Sequence, residues 1–254
     1  MAKRSRTSRN SRRDEIEVLD HKVENLFLDE KAVEIRRRGR NAKPRYQRNF
    51  QARTPVQADY RAACETSIVA FGVGPAGTGK SHVAVDTACE MFERGDVDMI
   101  VLSRPAVEAG GERLGFLPGG MREKLDPYMR PLYDILAKRL GRGEVDKLVT
   151  SGQIELCPLA FMRGRTFENA VVVLDEMQNA TAKQLKLALT RLGDNCKCFV
   201  TGDPEQTDDL PNGAVSGLVP VAEALRDAPG IDVVYFGASD VVRSQIVGTV
   251  LSRI

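Results

Sequence analysis

Apolar residues along this chain fall into short continuous runs separated by longer amphipathic stretches. Residues 68–73 (Ile-Val-Ala-Phe-Gly-Val) make one run, long enough for a buried strand, and glycines follow at once. Similar runs lie at 97–103, 154–159, 171–174, 196–201 and 233–236. Helical spacing predicts helices over 79–93, 121–151, about 181–192, about 214–226 and 240–253. Strands without alternation are buried on both faces, and their alternation with helices predicts an α/β fold with a parallel sheet flanked by helices. Residues 104–120 are rich in Gly and Pro over a length unusual for a plain connection, so function is expected there. No repeat of 20–50 residues is visible.

The first 53 residues read differently. Residues 1–13 are Arg/Ser-rich and nearly free of apolar side chains, which predicts disorder. Over 14–38, Ile16, Leu19, Val23, Leu26, Phe27 and Val33 recur near one helical face. The charged segment 39–55, with Gly39, Pro44 and Pro55, reads as a linker. The expected organisation is a basic N-terminal arm over 1–53 and a catalytic domain over 54–254.

Charge sharpens this division. The whole chain has 254 residues and a net charge of +2, but residues 1–53 carry 16 Lys+Arg against 8 Asp+Glu, while the remainder carries 21 against 27. A basic arm on an acidic body points to a polyanion such as nucleic acid, or to a solvated tail. No apolar run approaches the roughly 20 residues of a membrane span, and the basic start lacks the apolar centre of a signal peptide, so no membrane partner and a cytoplasmic location are expected. The five cysteines form no Cys-x-x-Cys pair and lie far from a metal pattern, which predicts reduced, mostly buried thiols. Cys196 and Cys198 are expected on one face of a strand.

The strongest chemical signal is Gly74-Pro75-Ala76-Gly77-Thr78-Gly79-Lys80-Ser81, which fits G-x-x-x-x-G-K-[ST] in full between a predicted strand and a predicted helix. Its glycines let backbone N–H groups converge on phosphate oxygens, and the helix N-terminus adds partial positive charge. Lys80 would reach the β- and γ-phosphates of ATP, and Ser81 would offer its hydroxyl to Mg²⁺. The second signal is the run 171–174 ending in Asp175-Glu176, a Walker B arrangement. Asp175 would hold Mg²⁺ and Glu176 would orient or deprotonate the attacking water. Two carboxylates at a strand end are also found as plain capping residues, and the upstream phosphate loop favours the metal reading. The third is Thr201-Gly202-Asp203-Pro204-Glu205-Gln206, where Gln206 is a candidate γ-phosphate sensor and a turn on Asp-Pro is the simpler alternative. Gln178 would couple the acids to neighbouring loops. Candidate cations near the developing charge are Arg104, Arg163, Arg165 and Arg243, with a surface ion pair, the commoner fate of an arginine, as the alternative for each.

These motifs resemble those of PhoH-like ATPases, the phosphate-starvation-inducible type, in a compact single-core form common in phages. The resemblance covers about residues 45–250 through GPAGTGKS at 74–81, SRPAVEAGGERLGFLPGG at 103–120, DPYMRPLYDIL at 126–136, FMRGRTFENA at 161–170, VVLDEMQNAT at 172–181 and TGDPEQTDD at 201–209. It implies a RecA-like P-loop core similar to the first motor domain of superfamily 1 helicases. It also implies that Gln57 reads adenine with Tyr60 as its neighbouring aromatic, that loop 104–120 touches nucleic acid, and that Arg243 is a recurrent arginine after the last strand. Met177 and Ala180 depart from the family's commoner Ala and Thr without removing a phosphate or metal ligand. About 50 residues follow position 201, too few for a second RecA-like domain, so the expectation is a homo-oligomeric ring, a hexamer, with an arginine acting in trans.

The function expected from these readings is Mg²⁺-dependent ATP hydrolysis coupled to binding or unwinding of single-stranded RNA or DNA. With 6% aromatic residues and no Trp, backbone tracking is expected over base stacking. The alternative is a regulatory ATPase switch that binds a protein partner and moves nothing. A small-molecule kinase fits less well, because Glu176 suits water attack and no substrate lid is evident.

Overall fold

The computed structural model describes residues 50–105, 121–207, 210 and 213–242, with the backbone alone over 121–127. The expected disordered start, the helix 14–38, most of the linker, loop residues 106–120, Arg243 and nearly all of the closing helix lie outside the described residues. The described residues belong to one unit spanning 44–254.

Six strands are described: β1 (Val69–Val73), β2 (Met99–Arg104), β3 (Ile154–Pro158), β4 (Ala170–Leu174), β5 (Lys197–Gly202) and β6 (Ile231–Tyr235). They form one sheet in the order β3-β2-β4-β5-β1-β6, and every neighbouring pair is parallel. The helices are α1 (Pro55–Thr66), α2 (Lys80–Arg94), α3 (Met121–Leu140), α4 (Arg142–Thr150), α5 (Ala182–Leu189) and α6 (Leu218–Leu225). This is the RecA-like α/β arrangement of a P-loop core.

Alternation along each strand builds two apolar layers. Ala70, Val171, Val173 and Phe199 pack in one cluster with Val83, Leu132, Leu136 and Val145 of α2, α3 and α4. Val69, Phe71, Val73, Val172, Leu174 and Val200 pack in the other with Leu185, Leu218 and Ala222 of α5 and α6. β1 and β4 are buried along their whole length, as an interior parallel strand requires. Cys196 and Cys198 share the second cluster. All five cysteines are free and buried. Burial pushes the Cys196 thiol up to about 11 and that of Cys157 up to about 12, which keeps both protonated and inert at neutral pH.

Local chemistry explains where the elements start and stop. Composition predicts a linker over 39–55, yet Pro55 occupies the first turn of α1 and the Thr54 hydroxyl accepts from the Gln57 N–H at 3.2 Å. The stretch 121–151, expected to be mainly helical, is built as two helices that part where Gly141 takes φ +86°. α2 ends where Gly95, at φ +79°, donates its N–H back to Met91 and Phe92. α5 opens on a reciprocal cap between Thr181 and Gln184.

Candidate active site

Strand order puts three motifs side by side. β5 lies between β1 and β4, so the loop after β1, the acids after β4 and the turn after β5 emerge together at the carboxyl edge of the sheet. The loop 74–79 joins β1 to α2. Gly74 and Gly79 hold φ +146° and +85°, and a Cβ on either would strike a neighbour, the Phe236 carbonyl for Gly74 and the Gln57 amide for Gly79. Lys80 is buried and its ammonium donates to the carbonyls of Gly74 (2.6 Å) and Pro75 (2.7 Å) and to the Thr78 hydroxyl (3.2 Å). The charge is thereby held over the loop whose N–H groups a phosphate would use.

Ser81 donates its hydroxyl to Asp175 Oδ1 at 2.6 Å. Thr201, on the intervening strand, donates to the same oxygen. Asp175 is 1% exposed, and its Oδ2 accepts from Arg104 Nε at 2.7 Å and from Arg104 Nη2. Glu176 follows in a left-handed conformation, φ 57° and ψ 38°, with its side chain 45% exposed. Gln178 donates to Glu176 Oε2 at 2.6 Å and to the Gln206 carbonyl at 3.3 Å, while its own Oε1 accepts from the Asp203 N–H at 3.0 Å. Gln178 therefore ties the acids to the turn after β5. Asp203 closes the circuit by accepting from the Ala76 N–H of the phosphate loop at 2.7 Å. The side chain of Gln206 is exposed on this same turn.

A cleft of about 560 Å³ opens at the other end of the loop, lined by Phe50, Arg53, Gln57, Gly77, Gly79 and His82 among others. That volume suits a nucleoside. Gln57 donates to the Thr78 carbonyl at 2.8 Å and accepts from the Arg53 N–H at 2.8 Å, leaving one N–H and one lone pair on its amide. Tyr60 is not brought to this cleft. It is fully buried, stands edge-on to Phe236 and packs its ring where a Gly72 side chain would be. Among the other expected cations, Arg165 pairs with Glu155 and lies over Phe167, Arg163 is exposed, and Arg243 lies outside the described residues.

Sequence reasoning missed Phe50, Arg53 and His82 in the cleft and the Asp203 bridge. Phe50 and Arg53 fell in the segment read as linker. His82 directly follows Ser81, and that adjacency was the available signal. The oxygen donors Ser81 and Asp175 fit Mg²⁺, which is commonly held by one or two carboxylates together with substrate phosphates. Among the described residues no group of three or more His, Cys, Asp or Glu is placed to hold a metal unaided.

The sequence profile of one family, described as PhoH-like protein, matches residues 49–254. This chain belongs to the PhoH-like family. A PhoH-like protein of Bacillus subtilis is 47% identical over 204 residues, covering 80% of this chain and 63% of that protein. A PhoH-like protein of Mycobacterium tuberculosis strain H37Rv is 46% identical over 217 residues, covering 85% and 59%. Protein PhoH of Escherichia coli K12 is 45% identical over 197 residues, covering 77% and 55%. This PhoH-like chain thus spans about 55–63% of the length of these relatives. A Sulfolobus solfataricus SWI2/SNF2 ATPase core solved with dsDNA overlays at TM-score 0.43 and 17% identity, covering 76% of this chain and 46% of that one, too loose an overlay to carry an inference. Among the described residues no helix is long and apolar enough to cross a membrane.

Proposed function

We propose that this chain is a Mg²⁺-dependent ATPase of helicase-related build, working in the cytoplasm on single-stranded RNA or DNA. The observation that carries the reading is the 2.6 Å contact between Ser81 of the phosphate loop and Asp175 at the end of β4, with Lys80 and Glu176 beside it. These are the parts phosphoryl transfer to water requires: a cation on the phosphates, an oxygen pair for the metal, and a carboxylate open to solvent.

The roles follow from the contacts. A triphosphate on the loop would replace the Gly74 and Pro75 carbonyls as partner of the Lys80 ammonium. Ser81 and Asp175 would hold Mg²⁺, which when bound neutralises charge on the β- and γ-oxygens. Glu176, steadied by Gln178, orients the attacking water and takes its proton. Gln206, on the turn bound to both Gln178 and the phosphate loop, reports the γ-phosphate. Gln57 lines the nucleoside cleft, and the donor and acceptor its hydrogen bonds leave over would suit an adenine edge. The +8 charge of residues 1–53 favours a nucleic-acid partner over a protein switch. We further propose a ring of such chains, with ATP at each junction and an arginine supplied by the neighbour.

Phosphate release with and without single-stranded RNA or DNA tests this. Lys80→Ala and Glu176→Gln each lower turnover at least about a hundredfold. Glu176→Gln keeps its affinity for ATP, since it removes a proton acceptor and no phosphate ligand. Loss of ATP binding in a folded Glu176→Gln protein would remove Glu176 from this role. Turnover indifferent to both polynucleotides across a range of salt supports the regulatory switch instead.

A further inference from the structure

We infer that Arg104 is a positioning residue that competes with the divalent cation for Asp175, so that the Arg104 clamp and metal-bound nucleotide exclude one another. This rests on the ATPase reading above and adds a residue which that reading does not use.

The argument begins with the capacity of one carboxylate. An ionised Asp offers about four lone-pair positions and no donor. At Asp175 all four are used by protein: Oδ1 accepts from Ser81 and Thr201, and Oδ2 accepts from Arg104 Nε at 2.7 Å and from Arg104 Nη2. On the Oδ1 side Ser81 gives its hydrogen to Asp175 and offers its own oxygen to a cation, so that contact need not break. The Oδ2 side is different. Its partner is a full positive charge with a side chain only 14% exposed, and water screens it poorly. A divalent cation drawn to the Ser81–Asp175 pair meets that charge at close range. Repulsion and the shortage of lone pairs act in the same direction, so one cation leaves.

Arg104 has somewhere to go. Its Nη2 lies 3.9 Å from Glu176 Oε1, and a turn about the side chain exchanges one carboxylate for the other. The exchange is not local in its effect. Nη1 donates to the Tyr128 carbonyl on α3 at 3.2 Å, so a guanidinium that leaves Asp175 also strains or breaks the tie between the end of β2 and α3. Metal binding at the nucleotide is thereby linked to α3, a helix that carries none of the phosphate-loop or Walker B residues. Arg165 cannot substitute, since its guanidinium is held by Glu155 on β3.

The test measures binding, not turnover. A fluorescent non-hydrolysable ATP analogue is titrated into the full chain in EDTA and again in Mn²⁺, and the ratio of the two affinities is the readout. In the wild type part of the Mn²⁺ gain is spent displacing Arg104. Arg104→Gln should therefore raise the ratio by about tenfold, the worth of one charge-assisted pair. Arg104→Lys, with a single donor centre, should fall between the two. A merely structural arginine would lower both affinities and leave the ratio unmoved. An unchanged or smaller ratio in a folded Arg104→Gln protein overturns the proposal. If Arg104→Gln fails to fold with Asp175 buried and unpaired, Arg104→Lys decides the matter alone: its ratio must exceed that of the wild type. A wild type that binds the analogue in neither condition refutes the ATPase reading itself, which is a separate outcome from a failed ratio.

Discussion

Glu176 is one of three non-glycine residues with positive φ among those described, and it stands between Asp175 and the bridging Gln178. A left-handed backbone costs a residue of this kind roughly 1–2 kcal/mol, so its neighbours must hold it there. The return is direction: the kink turns Glu176 out toward solvent while Asp175, one residue earlier, stays 1% exposed. Two adjacent carboxylates thus acquire different surroundings, one suited to a metal and one to water. Tyr60 illustrates the opposite case. Its ring fills the space over Gly72, where a Cβ would come within 2.7 Å, and its hydroxyl makes a long 3.4 Å contact with the Val200 carbonyl and a weak one with the Cys64 thiol. Tyr60→Phe should therefore leave ATP-analogue affinity unchanged and cost about 1 kcal/mol or less in urea unfolding. Tyr60→Ala should cost about 3–5 kcal/mol by emptying the core. A drop in nucleotide affinity for Tyr60→Phe at full stability would return the residue to the site. Gln57 and Tyr60 are three residues apart on one helix, and a one-dimensional motif could not tell which of them faces the cleft.

At the scale of elements, α2 and α3 are joined by a buried ionic cluster. Arg139, 6% exposed, sets its Nε 3.1 Å from Asp86 Oδ1 and its Nη2 2.6 Å from Glu93 Oε2. Burial holds the Asp86 carboxyl above its ordinary range, and Arg139, with smaller help from His82 and Arg61, pulls it back only in part. A carboxyl raised in the folded state binds its proton more tightly there than in the unfolded chain. Between the ordinary value near 3.8 and the raised one, stability therefore falls as pH rises, and above it the full penalty persists. Asp86→Asn removes that slope. Its melting temperature relative to wild type should climb from pH 4 to pH 7, whatever constant offset the lost Arg139 contact brings. A difference that is flat or declines over that interval would show that Asp86 ionises as freely folded as unfolded. This cluster was not legible in the sequence, because charges at 86, 93 and 139 look like solvated faces until two helices meet. The elements themselves were largely legible. All six strands announced themselves as apolar runs, and β4 with its two acids fell one residue from its expected start. α1 was not legible because it begins at a proline within charged surroundings, and the place where the helical stretch 121–151 breaks, at Gly141, depends on a backbone angle that composition does not encode.

At the scale of the whole molecule, order in the sheet is what makes the site. The phosphate loop and the Walker B acids are about 95 residues apart in sequence and meet across β5, which stands between their strands and lends Thr201 to the same Asp175 oxygen that accepts from Ser81. No pattern of apolar runs predicts that order. The same geometry leaves Glu176 and Gln206 exposed on the side where the γ-phosphate would lie. Water there would compete with any preorganised charge, so a neighbouring chain that covers the face is the economical way to complete the site. A head-to-tail ring does this by placing one chain's Lys80 against a different patch of the next. Arg243, outside the described residues, is the candidate that the family resemblance proposes for the arginine acting in trans. Mixing Lys80→Ala with Arg243→Ala chains then has a definite expectation. A junction is intact only when its loop comes from the arginine variant and its arginine from the lysine variant, which occurs at about one junction in four in an equal, random heterologous ring. Turnover should rise from near zero for either variant alone toward a quarter of wild type, and should peak at the equal mixture. Gain at no ratio, although the two variants co-assemble by sedimentation, would place the catalytic arginine in the same chain as the loop it serves, and Arg104 would then be the first to examine.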